Sequence, residues 1–269
     1  GIPQTLPLLS RALADAGYDC GMVGKQHLGP MAGCNEEPRL NDGYRVYKWS
    51  HGPNHPSTIN AFHAWLREHH PAIHKAAILD QPPKGMEGNN SAKMSVPLDK
   101  VPVEAHYSHW IAQETIDFIE DPARDQDKPF YFMSNFFDPH HPFGAPDAVR
   151  ALFDAAKLPL PSGSPAELDN RPEVLRAYSK RSYAGVAPGF QEYSEAELRE
   201  VVASYYAMVA LLDLEIGRIM AALEQRGELE NTLVVFTSDH GEMLGDHGLL
   251  LKGPMLYEPV VRVPLILHQ

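Results

Sequence analysis

The chain has 269 residues, 43% of them hydrophobic, and is therefore long enough to bury a substantial core. Its formal net charge of −12, with 23 basic against 35 acidic residues, argues against nucleic acid as a partner. The two cysteines, Cys20 and Cys34, are too few for a disulfide framework and lie in no CxxC pattern. No apolar run approaches the length of a transmembrane segment, and periplasmic and cytoplasmic locations both stay open.

The amino-terminal stretch predicts a helix, a strand and a functional loop in succession. Leucine spacing places the helix within residues 5–17, and the strand follows over Tyr18 to Val23. The strand leads into the glycine-bracketed loop Gly24-Lys25-Gln26-His27-Leu28-Gly29. An ammonium and an imidazole, from Lys25 and His27, can leave this loop towards one point. Without further context, a lysine and a histidine in a loop are more often solvated surface groups.

Residues 30–102 are rich in proline, glycine, asparagine and histidine, and they predict mostly irregular chain. Only Ile59 to His69 has helical periodicity. Because long loops in a compact domain usually carry recognition, we expect substrate selectivity to lie here. Six histidines in this stretch have no paired carboxylates and no fixed spacing, so we interpret them as surface or capping groups. They are His51, His55, His63, His69, His70 and His74.

The middle of the chain predicts a second helix and a second buried strand. Apolar positions from Tyr107 to Ile119 recur at helical spacing, and Asp121-Pro122 ends the helix. The strand is predicted over Phe130 to Asn135. Beyond its carboxyl end comes the proline-bracketed turn Pro139-His140-His141-Pro142-Phe143. His140 is open to two interpretations at this point, a structural histidine or a proton-transferring group.

A long helix precedes the last strand. Residues 145–193 are loop-like, with many prolines and serines. Ser194 and Glu197 then form a capping box for the longest helical pattern in the chain, which Gly227 stops. Alternation of strands and helices with right-handed crossovers predicts an α/β fold with a mainly parallel central sheet and helices on both faces. We expect one domain over residues 1–269.

The carboxyl-terminal stretch holds the strongest candidate site. Leu233 to Thr237 has the composition of a strand buried on both faces in a parallel sheet. Ser238-Asp239-His240-Gly241 follows at once. A carboxylate and an imidazole at the carboxyl end of such a strand lie where open α/β sheets bind ligands. The alternative is a helix cap, in which Ser238 or Asp239 accepts backbone N–H bonds and His240 is merely exposed.

Three motifs together resemble those of one family. The run DHGEMLGDHGLLLKGPMLYEPVVRVPLI closely resembles the signature of the sulfatase family within the alkaline phosphatase superfamily, including its Lys252-Gly253 pair. AGYDCGMVGKQHLG is similar to the family's AGYxTxxxGKWHLG, with Gln26 in place of the usual tryptophan, and PHHPF is similar to PHxPF. The motifs stand in the expected order over nearly the whole chain. The resemblance implies an alkaline phosphatase-like sheet sandwich.

The resemblance also implies an activity, that of a sulfuric ester hydrolase acting on a sulfate monoester. It implies that Lys25 and Lys252 clamp the sulfate, that His140 faces the leaving-group oxygen as candidate general acid, and that His27 lies beside the nucleophile. Flanking ammonium groups suit the charge that gathers on the sulfuryl oxygens, and a positioned imidazole suits protonation of the leaving group. The partner implied is a sulfated small molecule or glycan, with aryl sulfates and sulfated sugars both open.

The metal ligands and the nucleophile motif that the resemblance implies are only partly present in this chain. The resemblance makes Asp239 and His240 metal ligands, and two ligands are too few for a hard cation. Calcium is favoured, with magnesium and manganese as alternatives. The family's nucleophile is a formylglycine made within a CxPxR or SxPxR motif, and neither Cys20 nor Cys34 lies in one. We therefore expect a fragment of a sulfatase catalytic domain, incomplete at both ends and inactive by itself.

Two other functions stay open on the sequence. A phosphoester or phosphonate monoester hydrolase of the same superfamily can share the Asp239-His240 pair, although a second lysine clamp favours sulfate. A non-catalytic relative that binds sulfated glycans without cleaving them is the alternative from a different class.

Overall fold

The structure is a computed structural model that describes residues 2–3, 5–28, 37, 39–55, 57–79, 99–185, 187–253 and 255–269. These residues divide into two compact units. The first unit consists of the described residues within Gly1–Gln81, Val101–Asp138 and Leu212–Glu228. The second unit consists of those within Pro82–Lys100, Pro139–Leu211 and Leu229–Gln269. The single domain over residues 1–269 stays a prediction. In the described part of the chain, no helix is both long and apolar enough to cross a membrane.

The first unit is built on a three-stranded parallel sheet. Its strands are β1 (Asp19–Gly24), β2 (Val46–Trp49) and β3 (Phe130–Asn135), and its helices are α1 (Leu9–Asp15), α2 (Ala61–His69), α3 (Pro71–His74) and α4 (Tyr107–Glu120). The strand order is β2-β1-β3, and β1 runs parallel to both neighbours. Asp19 lies opposite Phe130, and Gly24 lies opposite both Asn135 and Trp49. The carboxyl ends of the three strands therefore meet at one edge of the sheet.

Helices cover both faces of this sheet. Side chains alternate across a strand, so neighbouring residues of β1 meet different helices. Cys20 and Met22 are buried in a cluster with Leu13 of α1. Gly21 faces the other way, where an added Cβ would lie 3.2 Å from the Phe118 ring of α4. The predicted α/β fold, with a parallel sheet between helices, is confirmed.

Most predicted elements of the first unit are present, and one strand was missed. The helices predicted over Ile59 to His69 and Tyr107 to Ile119 are α2 and α4, and the strand predicted over Phe130 to Asn135 is β3. The expectation that residues 30–102 are irregular apart from α2 is wrong, because Val46–Trp49 adds to the sheet by pairing with β1. Of the histidines interpreted as surface or capping groups, His55 and His74 are not surface groups, at 9% and 6% exposed, and His55 Nδ1 accepts from Ser57 N at 3.4 Å. Residues 80–98 lie outside the described residues.

The second unit contains the carboxyl-terminal strands. Its elements are α5 (Asp147–Arg150), α6 (Glu173–Lys180), β4 (Arg181–Ser182), β5 (Ala187–Pro188), β6 (Val234–Thr237), α8 (Glu258–Val261) and β7 (Leu265–His268). The long helix α7 (Glu195–Gln225) contributes residues to both units. Its predicted capping box is confirmed, because Ser194 N donates to Glu197 Oε2 at 3.0 Å and Glu197 N donates to Ser194 Oγ at 3.3 Å. The loop-like interpretation of residues 145–193 is wrong at α6.

The strand β6 occupies the predicted residues in a different environment. It pairs antiparallel with β7, with Thr237 opposite Leu265. Val235 is 52% exposed and Leu267 is 63% exposed. The prediction that Leu233 to Thr237 is buried on both faces of a parallel sheet is therefore wrong for the described chain. The physical reason is that β7 is its pairing strand and that no layer of described residues covers the apolar side chains of the two strands.

Candidate functional site

The turn after β6 orients Asp239 and His240. Ser238 Oγ donates to the His240 carbonyl at 2.7 Å, and His240 N donates to Asp239 Oδ1 at 3.0 Å. Short polar side chains often stabilise turns by bonding to nearby backbone groups, and these two bonds stabilise this turn in that way. The Asp239 side chain is 69% exposed and that of His240 is 27% exposed. The helix-cap alternative fails here because Asp239 starts no helix.

Gly241 ties this turn to α8. Its N–H donates to the Val260 carbonyl at 2.7 Å, and the next N–H, of Glu242, donates to the Pro259 carbonyl at 3.1 Å. A Cβ at position 241 would lie 1.9 Å from the Pro259 oxygen, so only glycine fits. The glycine of the DHG motif therefore serves close backbone approach, and it fixes the position of the two residues before it.

The His240 imidazole has a defined tautomer. Its Nδ1 lies 2.8 Å from the Gly241 carbonyl, so Nδ1 carries the hydrogen and donates it. Nε2 is then the acceptor, and the Lys252 ammonium lies 2.5 Å from it. An Nδ1–H held by a backbone carbonyl is also the arrangement that orients metal-ligating imidazoles. One lone pair on Nε2 can accept from Lys252 or bind a cation, and it cannot do both at once.

His140 lies beside this pair. Its ring centroid is 6.0 Å from that of His240, with the rings at 66°. Its Nδ1 is 2.5 Å from the His141 carbonyl, so the backbone orients the ring. The His141 ring stacks on it at 4.1 Å and in turn meets the Tyr183 ring edge-on at 4.7 Å. His141 is only 6% exposed, which makes it a packing residue.

Lys25 and His27 belong to the first unit. Gly24, with φ +97, ends β1 where a Cβ would lie 2.1 Å from the Asn135 oxygen. The Lys25 ammonium lies over the Phe137 ring, 5.5 Å from its centroid. His27 has a left-handed backbone, φ 55, and its N–H donates to Glu37 at 2.9 Å. The two groups leave one loop, as the spacing predicts.

The predicted site residues thus fall into two sets. The structure brings His140, Asp239, His240 and Lys252 together in the second unit, and it holds Lys25 and His27 in one loop of the first. Convergence of the two sets on one substrate stays a prediction. Cys20 is a buried thiol, 1% exposed, and the prediction for Cys34 lies outside the described residues.

Sequence reasoning missed the residues that hold these side chains. Gln26, which replaces the usual tryptophan, accepts a hydrogen bond from Tyr47 Oη at 3.2 Å. Glu37 and Glu242 accept backbone N–H groups of the two functional loops, and Tyr178 donates to a backbone carbonyl of the second. No sequence signal identifies such residues, because a glutamate or tyrosine that bonds to distant backbone has no characteristic spacing.

Asp239 and His240 fit a partial metal site. A carboxylate and an imidazole with an oriented Nε2 suit a divalent cation, and His240 Nε2 lies 3.6 Å from Asp239 Oδ1. Among the residues that the structure describes, no group of three or more His, Cys, Asp or Glu side chains is arranged to hold a metal ion. Two such ligands are too few by themselves for a hard cation, and their role as metal ligands stays a prediction.

An α/β fold and, in the second unit, a cluster of an ammonium, two imidazoles and a carboxylate are features of a class of protein suited to binding oxyanions. The chain belongs to the sulfatase family, because the family model described as Sulfatase matches residues 1–269. An arylsulfatase of Clostridium perfringens (strain 13 / Type A) is 28% identical over 266 residues, which cover 97% of this chain and 51% of that protein.

Solved structures show the same fold. The phosphonate monoester hydrolase SpPMH from Silicibacter pomeroyi has a TM-score of 0.73 and 21% identity, covering 99% of this chain and 53% of its own. A structure of BT4656 in complex with its substrate D-glucosamine-2-N,6-O-disulfate has a TM-score of 0.58 and 19% identity, covering 98% of this chain and 57% of its own. The chain spans about half the length of the relatives it matches.

Proposed function

We propose that this protein is a sulfuric ester hydrolase that cleaves a sulfate monoester. The observation that carries the proposal is the contact of the Lys252 ammonium with the His240 imidazole beside the His140 ring, in a chain of the sulfatase family. An ammonium at a fixed position suits a tetrahedral anion whose charge is spread over several oxygens. Family membership then favours sulfate as that anion.

Each side chain has a proposed task in the reaction. Transfer of a sulfuryl group gathers charge on the equatorial oxygens, and Lys252 neutralises part of it, together with Lys25. His140 donates a proton to the leaving-group oxygen, and the contact of its Nδ1 with the His141 carbonyl fixes the ring for that transfer. His27 lies beside the attacking group. Substitution of either lysine removes a positive charge that binds the sulfate oxygens. Substitution of His140 removes the group that protonates the leaving-group oxygen.

Sulfatases generally use a metal ion and a formylglycine. For this protein we propose that Asp239 and His240 help to hold a divalent cation, calcium by preference, with magnesium and manganese as alternatives. When bound, such a cation polarises the S–O bonds of the ester. His240 would contribute its oriented Nε2 once the Lys252 ammonium leaves that lone pair for the substrate oxygens, and Asp239 would contribute a carboxylate that its 69% exposure leaves accessible. The proposed substrates are aryl sulfates and sulfated sugars, the latter because BT4656 is bound to a disulfated glucosamine.

The test compares matched esters and one lysine substitution. The protein, expressed from its complete reading frame in a host that forms formylglycine, is assayed with calcium on 4-nitrophenyl sulfate, 4-nitrophenyl phosphate and a phenylphosphonate monoester. We expect the sulfate to be hydrolysed with the highest kcat/KM. Lys252→Ala should lower that value by about 100-fold to 1000-fold, the loss typical of one charge-stabilising donor. The control Lys157→Ala, at a side chain 83% exposed, should stay within about twofold.

The outcomes separate the alternatives. Preferential hydrolysis of the phosphate or phosphonate ester would indicate a phosphoester or phosphonate ester hydrolase instead. SpPMH, a phosphonate monoester hydrolase, has the same fold. Binding of a sulfated sugar without turnover of any ester would indicate a non-catalytic glycan-binding protein. An unchanged kcat/KM in Lys252→Ala would remove this ammonium from the sulfate clamp.

A further inference from the structure

The backbone around Lys252 is held in an unusual conformation. Leu244 and Leu251, in the loop that leads from Glu242 to Lys252, are non-glycine residues with left-handed backbone, at φ 46 and φ 64. Such a conformation costs about 1–2 kcal/mol in an L-residue, so it persists only where other contacts impose it. Met243 N donates to the Leu251 carbonyl at 3.2 Å and closes the loop. Contacts with other residues therefore hold the backbone of Leu251, the residue before Lys252.

Glu242 imposes this conformation on both leucines. Its Oε1 accepts from Leu244 N at 3.1 Å and from Leu251 N at 2.5 Å. Burial raises the pKa of the Glu242 carboxyl to about 7, and its oxygen can accept both N–H groups in the ionised and in the neutral form. One side chain thus joins the two ends of the loop at the residue immediately before Lys252. Glu242 lies two residues after His240, so the same short segment sets both members of the His240–Lys252 contact.

Tyr178 holds the other side of Lys252. Its Oη, on α6, donates to the Lys252 carbonyl. Tyr178 is 6% exposed and belongs to the buried cluster that contains Met243, Leu249 and Met255. The next residue, Gly253, permits this approach, because a Cβ there would lie 2.8 Å from Tyr178 Cε2. The peptide units before and after Lys252 are thereby bonded to two side chains that sequence reasoning did not select.

We propose that Glu242 and Tyr178 are positioning residues that place the Lys252 ammonium, and that they act on the reaction through Lys252. The inference rests on the proposed function, in which Lys252 clamps the substrate oxyanion. The lysine side chain is long and flexible, and its ammonium can be held at one point only if its backbone is held. Neither Glu242 nor Tyr178 contributes a group to the reacting atoms.

A double-mutant cycle tests the inference in the full protein. Glu242→Ala removes the acceptor, whereas Glu242→Gln keeps an oxygen that can accept both N–H groups. We expect Glu242→Ala to lower kcat/KM by about 10-fold to 100-fold, the loss that follows displacement of a catalytic group by about 1 Å. Glu242→Gln should recover most of that loss. In a Lys252→Ala background, Glu242→Ala should change kcat/KM by less than about twofold, because the group it places is gone.

Tyr178→Phe provides the second variant if Glu242→Ala does not fold. It removes one hydroxyl from a buried ring and should lower kcat/KM about 5-fold to 10-fold in the normal background and less than about twofold with Lys252→Ala. The matched control is Tyr206→Phe, at a ring 40% exposed. An equal loss with and without Lys252, or a Glu242→Gln variant as impaired as Glu242→Ala, would show a general structural role and overturn the inference.

Failure of the proposed function gives a different result. If no sulfate ester is hydrolysed while a phosphate ester is, the proposed function is wrong and the same cycle is run on the phosphate ester. If no ester is hydrolysed at all, the cycle is run on the Kd of inorganic sulfate measured by calorimetry. In both cases coupling between Glu242 and Lys252 supports the positioning role, and additive losses overturn it.

Discussion

The glycine after His240 gives the sharpest test of how the site is built. In Gly241→Ala, the new Cβ would lie 1.9 Å from the Pro259 oxygen and 2.9 Å from the Pro259 carbonyl carbon. The backbone must retreat by about 1 Å to restore van der Waals separation. That movement breaks the bonds from Gly241 N to Val260 O and from Glu242 N to Pro259 O. At about 1 kcal/mol for each bond plus strain, we expect a loss of about 2–4 kcal/mol in the free energy of unfolding.

The matched control is Gly217→Ala, within the helix α7. A Cβ at Gly217 meets no atom of the described residues within 4 Å, and its φ is not positive. Alanine should therefore stabilise the helix by about 0.5–1 kcal/mol. Urea unfolding followed by circular dichroism measures both changes, and kcat/KM on the preferred ester should fall only in Gly241→Ala. A Gly241→Ala variant as stable and active as the parent would refute the close approach to Pro259 and the role assigned to this turn.

Three further predictions concern individual side chains. His140→Ala should lower kcat about 100-fold on alkyl sulfates and far less on 4-nitrophenyl sulfate, whose good leaving group needs no proton, and equal losses would contradict general-acid catalysis. Asp239→Ala should weaken calcium binding at least about tenfold in calorimetry, and unchanged affinity would exclude it as a ligand. Burial acts to raise the pKa of Glu215, but hydrogen bonds from His109 and Arg218 lower it overall from 4.5. The ionised form is thus favoured by folding, and its contribution is complete above pH 4.5 and lost as the pH falls through the folded pKa. Glu215→Gln should therefore cost about 1–3 kcal/mol at pH 7 and progressively less below pH 4.5, whereas a pH-independent cost would exclude ionisation as the cause.

The sheet of the first unit was predictable where its strands have an apolar interior and was not where a short strand carries a charge inside it. β1 and β3 are six-residue runs bounded by turn residues, so their type follows from local composition. β2 has four residues and contains Lys48, whose ammonium bonds to Glu114 of α4. That partner is remote in sequence, and only the fold brings it near. Charge on a short strand therefore concealed β2 from composition alone.

The strand β6 shows a second limit. Its apolar and β-branched composition predicts a strand correctly, because the backbone preference is local. The same composition does not specify which layer covers it, since burial depends on residues far away in the chain. Phe236 is 37% exposed and Leu265 is 67% exposed in the pair that β6 forms with β7. That these residues form a strand was therefore predictable, whereas the solvent exposure of their side chains was not.

The candidate chemistry-bearing side chains come from motifs and stay predictions, whereas the glutamates that hold their loops follow a rule visible only in three dimensions. His27, at φ 55, donates its N–H to Glu37, and Leu251, at φ 64, donates its N–H to Glu242. A left-handed L-residue costs about 1–2 kcal/mol, and a hydrogen bond contributes about 0.5–1.5 kcal/mol, or about 1.5–3 kcal/mol where the acceptor is charged, so the bond offsets much of the strain. Glycine would avoid the strain, but at position 27 it would also remove the imidazole. A carboxylate acceptor thus lets a loop keep a functional side chain, or the residue that precedes one, in a backbone conformation that otherwise favours glycine.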